Sequence, residues 1–571
     1  MPITLVNSGY DDGLFVRQAT HLSTGQWLGP FDNLTLAKGS AYPAFIAAMH
    51  SVHVPLKVGE QLTFLLAAAC LAACVWVVTR RLAAATAVYV VLALDPASFG
   101  VVASRVLRDS WYASLTLLLL ATLFLAVYGA VTRARLVWVL PVAVLAGLTG
   151  AAFWLCREEG PAIAPAFAFI TLGVPIWALV RGRSAGTAGP GRRARATSKG
   201  VRVVGVLALV GLFASVPVGY VLAQNDQHYG VALTNDVAAG TYARAYADWA
   251  DVNAGTPSPR VPISFAQRTA VYAISPAAAE LAPILESSSN HWRKVSCRQQ
   301  RVCDDFAGGW EVWALREAAL QTGHFSSGTA AQTFFGQVGS DIEAACASGK
   351  LSCARHLPPS LEPFQHATLR GVGSAAWHGL VYIGFTTDLT TVPGPVLPVS
   401  SAQRKSFASM IVSLPTTQHS SHLREQQFER AWIYPLLTNV YRWLFPLLFL
   451  AAVAGIILGW MSKTAGIAPM SLLAAALGIG AMGRLLLLAV IDFTTFSSVA
   501  SPYQLATRLL LFGFALVGTA VLVDTLINHR ASRSRAAGPG DANAEAHLGA
   551  SHSDVDERHA DDLEAHRGLP H

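Results

Sequence analysis

What most constrains this chain is the recurrence of long apolar runs. Windows long enough to cross roughly 30 Å of hydrocarbon, at about 1.5 Å per helical residue, fall at Leu62 to Val78, Leu82 to Val102, Trp111 to Val131, Leu136 to Cys156 and Ala162 to Val180. More follow at Val203 to Ala223, Trp443 to Met461, Ile467 to Ile491 and Leu505 to Ile527. The expected fold is an all-α polytopic membrane protein with about nine transmembrane helices. Composition agrees, since 53% of the 571 residues are hydrophobic and only 13% are charged. The window at Leu82 to Val102 stands apart, because Asp95 and Pro96 interrupt it.

The charges between the windows set an orientation. Arg80 and Arg81, Arg133 and Arg135, the run "RGRSAGTAGPGRRARATSKGVR" from Arg181 to Arg202, Lys463, and Arg530, Arg533 and Arg535 fall on one side, which the positive-inside rule makes the cytoplasm. The formal charge of +7 is spread over these loops and forms no binding face for nucleic acid. The other side receives residues 1–58, the turn holding Arg105, Arg108 and Asp109, the "CREEGP" turn, and a long insertion at 224–442. The expected organisation is an extracytoplasmic acidic loop (1–58), transmembrane helices with a basic cytoplasmic loop at 181–202 (59–223), an extracytoplasmic helical domain (224–442), three more spans (443–528) and a disordered cytoplasmic tail (529–571). This is the arrangement of a multi-pass membrane protein with its large domain outside and its C-terminus in the cytoplasm. Placing residues 1–58 outside requires that the segment cross by itself, helped by having no net charge, or that a further helix precede it.

Within the insertion, "GTYARAYADWADV", "GGWEVWALREAALQTG" and "AAQTFFGQVGSDIEAACASG" show apolar residues at helical spacing. Trp249, Trp310, Trp313, Phe334 and Phe335 read as its core and not as sugar-stacking platforms. Cys297, Cys303, Cys346 and Cys353 all lie here, an even set suited to disulfides in an oxidising compartment. Three connectivities exist, and the local pairs Cys297 with Cys303 and Cys346 with Cys353 close the shortest loops. Zinc is the rival reading, with His356 beside Cys353, but no C-x-x-C spacing supports it.

Candidate chemistry gathers at the outer ends of apolar runs. Asp11 and Asp12 precede "GLFVRQATHL" and have an ordinary role as an N-terminal cap worth about 0.5–2 kcal/mol. Lys38 and Tyr42 in "KGSAYP", Arg108 and Asp109 in "RVLRDSWYASL", and Arg157, Glu158 and Glu159 in "FWLCREEGP" lie on the same side, and together they would form a charged cleft. A carboxylate that removes a proton from an acceptor hydroxyl, beside cations that hold a departing phosphate, is the equipment for group transfer from a lipid-linked phosphate. Arg484 stands inside "GIGAMGRLLLLAVIDF", where a guanidinium costs about 2.5–3.5 kcal/mol on insertion scales. It either snorkels toward Asp492 or binds the donor's phosphate, with Arg508 as a second candidate.

The stretches "YDDGLFVRQATHLSTGQWLGPFDNLTLAKGSAYPAFIA", "RVLRDSWYASL" and "WLCREEGPAIAP" resemble the first outer loop and following spans of bacterial GT-C-type glycosyltransferases, especially a poorly characterised multi-pass group related to them. "YAISPAAAELAPIL" and "GGWEVWALREAAL" resemble that group's outer domain. The resemblance implies a polyprenyl-phosphate sugar as donor and an envelope glycan, lipid or protein as acceptor. It also implies Asp11 and Asp12 as catalytic or metal-binding carboxylates, with Mg or Mn as the possible cation. Lys38, Tyr42, Arg108, Asp109, Arg157, Glu158, Glu159 and Arg484 would then contact donor or acceptor. The chain departs from the GT-C pattern in having only about ten residues, and no helix, before the acidic loop.

Other signals carry less. His50 and His53 in "AMHSVHVP" have no carboxylate nearby in sequence, and "NLT" at Asn33 matches a glycosylation acceptor. No phosphate-binding P-loop, dinucleotide fingerprint or G-x-S-x-G elbow occurs. The rival readings are a non-catalytic envelope protein whose spans only anchor a binding or scaffold domain, and a transporter, for which Arg484 and Asp95 are too few intramembrane charges.

Overall fold

The structure, a computed structural model, describes residues 11–99, 103, 105–184, 191–354, 367–385, 401–412, 433–461, 468–499 and 503–536. Among them eight helices are long and apolar enough to cross a membrane, and no strand is present beyond two isolated bridges. The apolar windows became helices because Leu, Ala and Val satisfy both helix propensity and a lipid environment, where backbone groups must bond within their own segment. The window Leu136 to Cys156 coincides with its helix.

At Leu82 the result differs. The helix there ends at Ala93, and a single turn of 3-10 helix follows at Pro96–Phe99. Pro96 lacks a donor and disfavours helical geometry at the residue before it, so the helix stops at 12 residues, about 18 Å and short of a full crossing.

The helix Arg108–Thr132 is the axis of the bundle. Leu56–Thr79, Leu136–Cys156, Ala164–Ser184, Gly191–Tyr229 and Leu505–Ala536 pack around it, and 83% of its apolar window is buried. In Ser198–Tyr229 only 11% is buried, and Val204, Leu212 and Val216 face outward, as suits a surface solvated by lipid. One end of the bundle carries the helix Asp12–Ser23, the Arg105–Arg108 turn and the Arg157–Glu159 turn. At the other end Arg81 pairs with Asp524 at 2.6 Å, and Arg133 donates to Ser198 at 2.6 Å. Lys463, His356 and the tail beyond Ala536 lie outside the described residues.

Residues 230–354 form a second core around Trp249, Tyr242, Phe306, Phe334 and Phe335, and burial of each aromatic contributes roughly 2–3 kcal/mol. Trp310 and Trp313 pack partly buried on its flank. Its helices start where side chains supply missing acceptors. Ser264 and Gln267 close a capping box, and Asn290 accepts from the N–H groups of Trp292 and Arg293. Cys297–Cys303 and Cys346–Cys353 are the disulfides, while Cys70, Cys74 and Cys156 are free thiols. The remainder of the insertion belongs elsewhere: helices Leu369–Phe385 and Ser401–Val412 pack on the bundle, with Ile383, Met410 and Ile411 in its core.

Candidate functional site

The loop before the helix Ala41–Ser51 explains how the site is assembled. A Cβ on Gly39 would collide with the carbonyl oxygen of Leu155, so a glycine here lets the loop lie against the end of the helix Leu136–Cys156. That contact brings Lys38 within 3.1 Å of Asp11 and 5.2 Å from the ring of Trp313 in the second core.

The aspartate pair is not spent on capping. Asp11 occupies the N-cap position of Asp12–Ser23 without making a side-chain cap bond. Asp12, fully buried, accepts from Arg105 at 2.7 Å, and its second carboxylate oxygen has no hydrogen-bond partner. The two acids therefore differ in character. Burial raises the pKa of Asp12, offset only in part by Arg105. Burial also pushes Asp11 upward, but Lys38 and Arg108 outweigh it and hold the carboxyl below its usual range. Asp11 keeps 36% of its side-chain surface open, and Arg105 keeps 32%.

Behind this pair the charges continue as a chain. Arg108 donates to the Cys156 carbonyl at 2.6 Å and to Glu158 at 3.1 Å. Asn235, from the second core's approach segment, donates to Glu158 at 2.8 Å and to the Ala37 carbonyl at 3.1 Å. Arg157 bonds Asp109 and, at 2.5 Å, Glu159; Glu159 in turn meets Arg484. Arg484 also donates to the Tyr503 carbonyl at 2.8 Å and lies 5.0 Å from the ring of Tyr112. The Arg108 and Lys38 charges outweigh burial at Glu158 and hold its pKa below the usual carboxylate value.

A second close approach makes the deep end possible. A Cβ on Gly483 would collide with the Ala162 carbonyl oxygen. With glycine there, the turn Gly160–Ile163 settles onto the helix Ala468–Thr494 and delivers Glu159 to Arg484. Beside Arg157 and Glu158 lies a cavity of about 170 Å³, lined also by Gly39, Trp154 and Asn235.

Counted together, five carboxylates (Asp11, Asp12, Asp109, Glu158, Glu159) meet five cations (Lys38, Arg105, Arg108, Arg157, Arg484), and the cluster is formally neutral. Nine of the charged groups converge on one bundle end, and Arg484 reaches it from inside the bundle. Tyr42 is set apart: fully buried, it donates to Glu60 at 2.7 Å, and Glu60 is paired with Lys57 at 2.8 Å. Asp95, fully buried, takes Arg508 at 2.7 Å, while Arg508 also donates to the Ile383 carbonyl at 2.6 Å, so this pair clasps three segments. Arg508 is therefore committed to Asp95.

Sequence reading missed Arg105, Asn235 and the Glu60 pair as members of this region. Arg105 had a signal, lying three residues before Arg108 on the same turn; Asn235 had none. For a divalent cation, Asp11 and Asp12 offer two carboxylates already neutralised by Lys38 and Arg105. Among the described residues no three Asp, Glu, His or Cys side chains gather into a ligand set.

The molecule is thus an all-α polytopic membrane protein with a disulfide-bonded helical domain seated over a charged cluster at one end of its bundle. In comparison with known proteins, no family model matches the chain and no curated protein matches its sequence.

Proposed function

We propose that the protein is an integral membrane glycosyltransferase of GT-C type, transferring a sugar from a polyprenyl-phosphate donor to an envelope acceptor on the extracytoplasmic side of a bacterial inner membrane. The observation that carries this reading is an open, ionised Asp11 paired with Lys38 and standing next to the Asp12–Arg105 pair, Lys38 and Arg105 being the cations of the cluster that keep the most side-chain surface. In the reaction the acceptor oxygen bonds to the anomeric carbon while the bond from that carbon to the phosphate oxygen breaks. Asp11 takes the acceptor's proton, and Lys38 and Arg105 stabilise the departing polyprenyl phosphate. Arg108, Arg157 and Arg484, each at most 7% exposed and already paired, hold the floor of the site and do not themselves grip the donor. The cavity beside Glu158 and Asn235 offers room for part of the acceptor. No step is routed through a metal.

The complete charge balance of the cluster favours a second reading, a non-catalytic envelope protein in which these ion pairs only fasten the helical domain to its anchor. The test is transfer of radiolabelled sugar from a polyprenyl-phosphate donor to envelope extract by the purified full-length protein. Transfer by the native protein that is lost in Asp11→Asn supports the enzyme; no transfer by the native protein, with unchanged envelope binding in the variant, supports the anchor.

A further inference from the structure

A cavity of about 520 Å³ lies where the second core meets the bundle, and it shares no lining residue with the cluster around Asp11. Its walls come from Arg260, the loop Gln300–Val302, Ser374 and His378 of the helix Leu369–Phe385, and Asp492. Three of these side chains can carry positive charge, and one is an acid. The acid is committed: Asp492 pairs with Arg260 at 3.8 Å and accepts from the backbone N–H groups of Ser498 at 2.8 Å and Val499 at 3.2 Å. Arg301 and His378 have no side-chain partner among the described residues, and the Gln300 side-chain oxygen is buried without a donor.

The arginines stand on fixed backbone. Arg301 follows the helix His291–Gln300, its N–H bonded to the Cys297 carbonyl at 3.1 Å, inside the loop closed by Cys297–Cys303. Arg260 occupies the left-handed region at φ 65° in a turn where glycine or asparagine is the ordinary choice, and its carbonyl accepts from Gly308 at 2.9 Å. Unspent guanidinium and imidazole groups match a phosphate group. The cavity is within the size range of small-ligand sites, about 300–1,000 Å³. Trp377, beside His378, is 65% exposed on the outer surface of its helix, the position of an interfacial tryptophan at a lipid boundary.

We propose that this cleft binds a phosphate-bearing anionic head group, supplied by an anionic phospholipid or by a free phosphate ester. The proposal does not rest on sugar transfer. The test uses the full-length protein in two arms: equilibrium dialysis of labelled inorganic phosphate in phosphatidylcholine nanodiscs, and native mass spectrometry of retained phosphatidylglycerol against phosphatidylcholine. The double substitution Arg301→Gln with His378→Gln weakens binding about ten-fold or more, the loss expected on removing a charge-assisted contact. Arg298→Gln, outside the cavity on the same helix, leaves it unchanged. Loss confined to the dialysis arm identifies a soluble phosphate, and loss of phosphatidylglycerol retention identifies a lipid. Because neither substituted side chain has a partner, the melting temperature stays at the native value, which separates lost binding from lost folding. Absence of both kinds of binding in the native protein, or native binding by the double variant, overturns the proposal.

Discussion

Arg484 and Glu159, 325 residues apart in the chain, form an ion pair within the bundle. This contact resolves the alternatives that the sequence left for Arg484. Asp492, its expected polar neighbour, is engaged by Arg260, and the guanidinium is 1% exposed, so it neither snorkels nor stands free for a phosphate. Arg484→Gln leaves Glu159 with one cation instead of two in a buried setting, and about 3–5 kcal/mol of stability is lost. Thermal unfolding in detergent measures this, and adding Glu159→Gln recovers part of the loss, the signature of a coupled pair.

Asp11 and Asp12 separate on substitution. On the proposed function, Asp11→Asn removes the open carboxylate and lowers sugar transfer by about 10²–10⁴-fold, while stability stays within roughly 1 kcal/mol because the Lys38 pair is partly solvated. Asp12→Asn removes a buried anion from Arg105 and lowers stability by about 1–3 kcal/mol as well as transfer. Parallel assays of transfer and melting temperature distinguish the two; equal stability losses would remove the division of labour.

Gly483→Ala tests the close approach that delivers Glu159. The added methyl meets the Ala162 carbonyl, so the turn must lift. Overpacking of this kind costs about 1–3 kcal/mol. Its effect on melting temperature is non-additive with Arg484→Gln, because both act on the same contact.

Asp248 confers a pH dependence on the second core. Burial, reinforced by Glu343 and opposed by Arg244, raises its pKa to about 6. The folded state then binds a proton more tightly than the unfolded chain, whose carboxyl titrates near 3.9. Stability from this group is fully present below about pH 4 and is lost as pH rises through about 6, by a total of about 1–2 kcal/mol after the solvent screening that a partly exposed carboxyl receives. Asp248→Asn flattens that part of the stability profile and stabilises the protein at pH 7; denaturation measured from pH 4 to 8 checks both.

The spans were legible because apolar length and membrane thickness are the same quantity, as Leu136 to Cys156 shows by coinciding with its helix. The local disulfides were legible for a related reason, since short loops bring Cys297 to Cys303 and Cys346 to Cys353. The charged residues of the site could be singled out one by one as polar groups at the ends of apolar runs. Their partners could not, because pairing depends on how helices distant in sequence pack. Nothing near Asn235 points to Glu158, and nothing near Tyr42 marks Glu60 as the acceptor that draws its hydroxyl inward. The break after Ala93 was visible in Asp95 and Pro96, but the reason Asp95 is tolerated there is Arg508, which lies 413 residues further on.

The neutral cluster also fixes an order of events in biosynthesis. Arg157 and Glu159 leave the ribosome long before Arg484 and the carbonyl of Tyr503 that steadies it. Until the late helices are in place, Arg157 alone stands opposite both Asp109 and Glu159. Full electrical balance at this end of the molecule and completion of the nascent bundle are therefore one step.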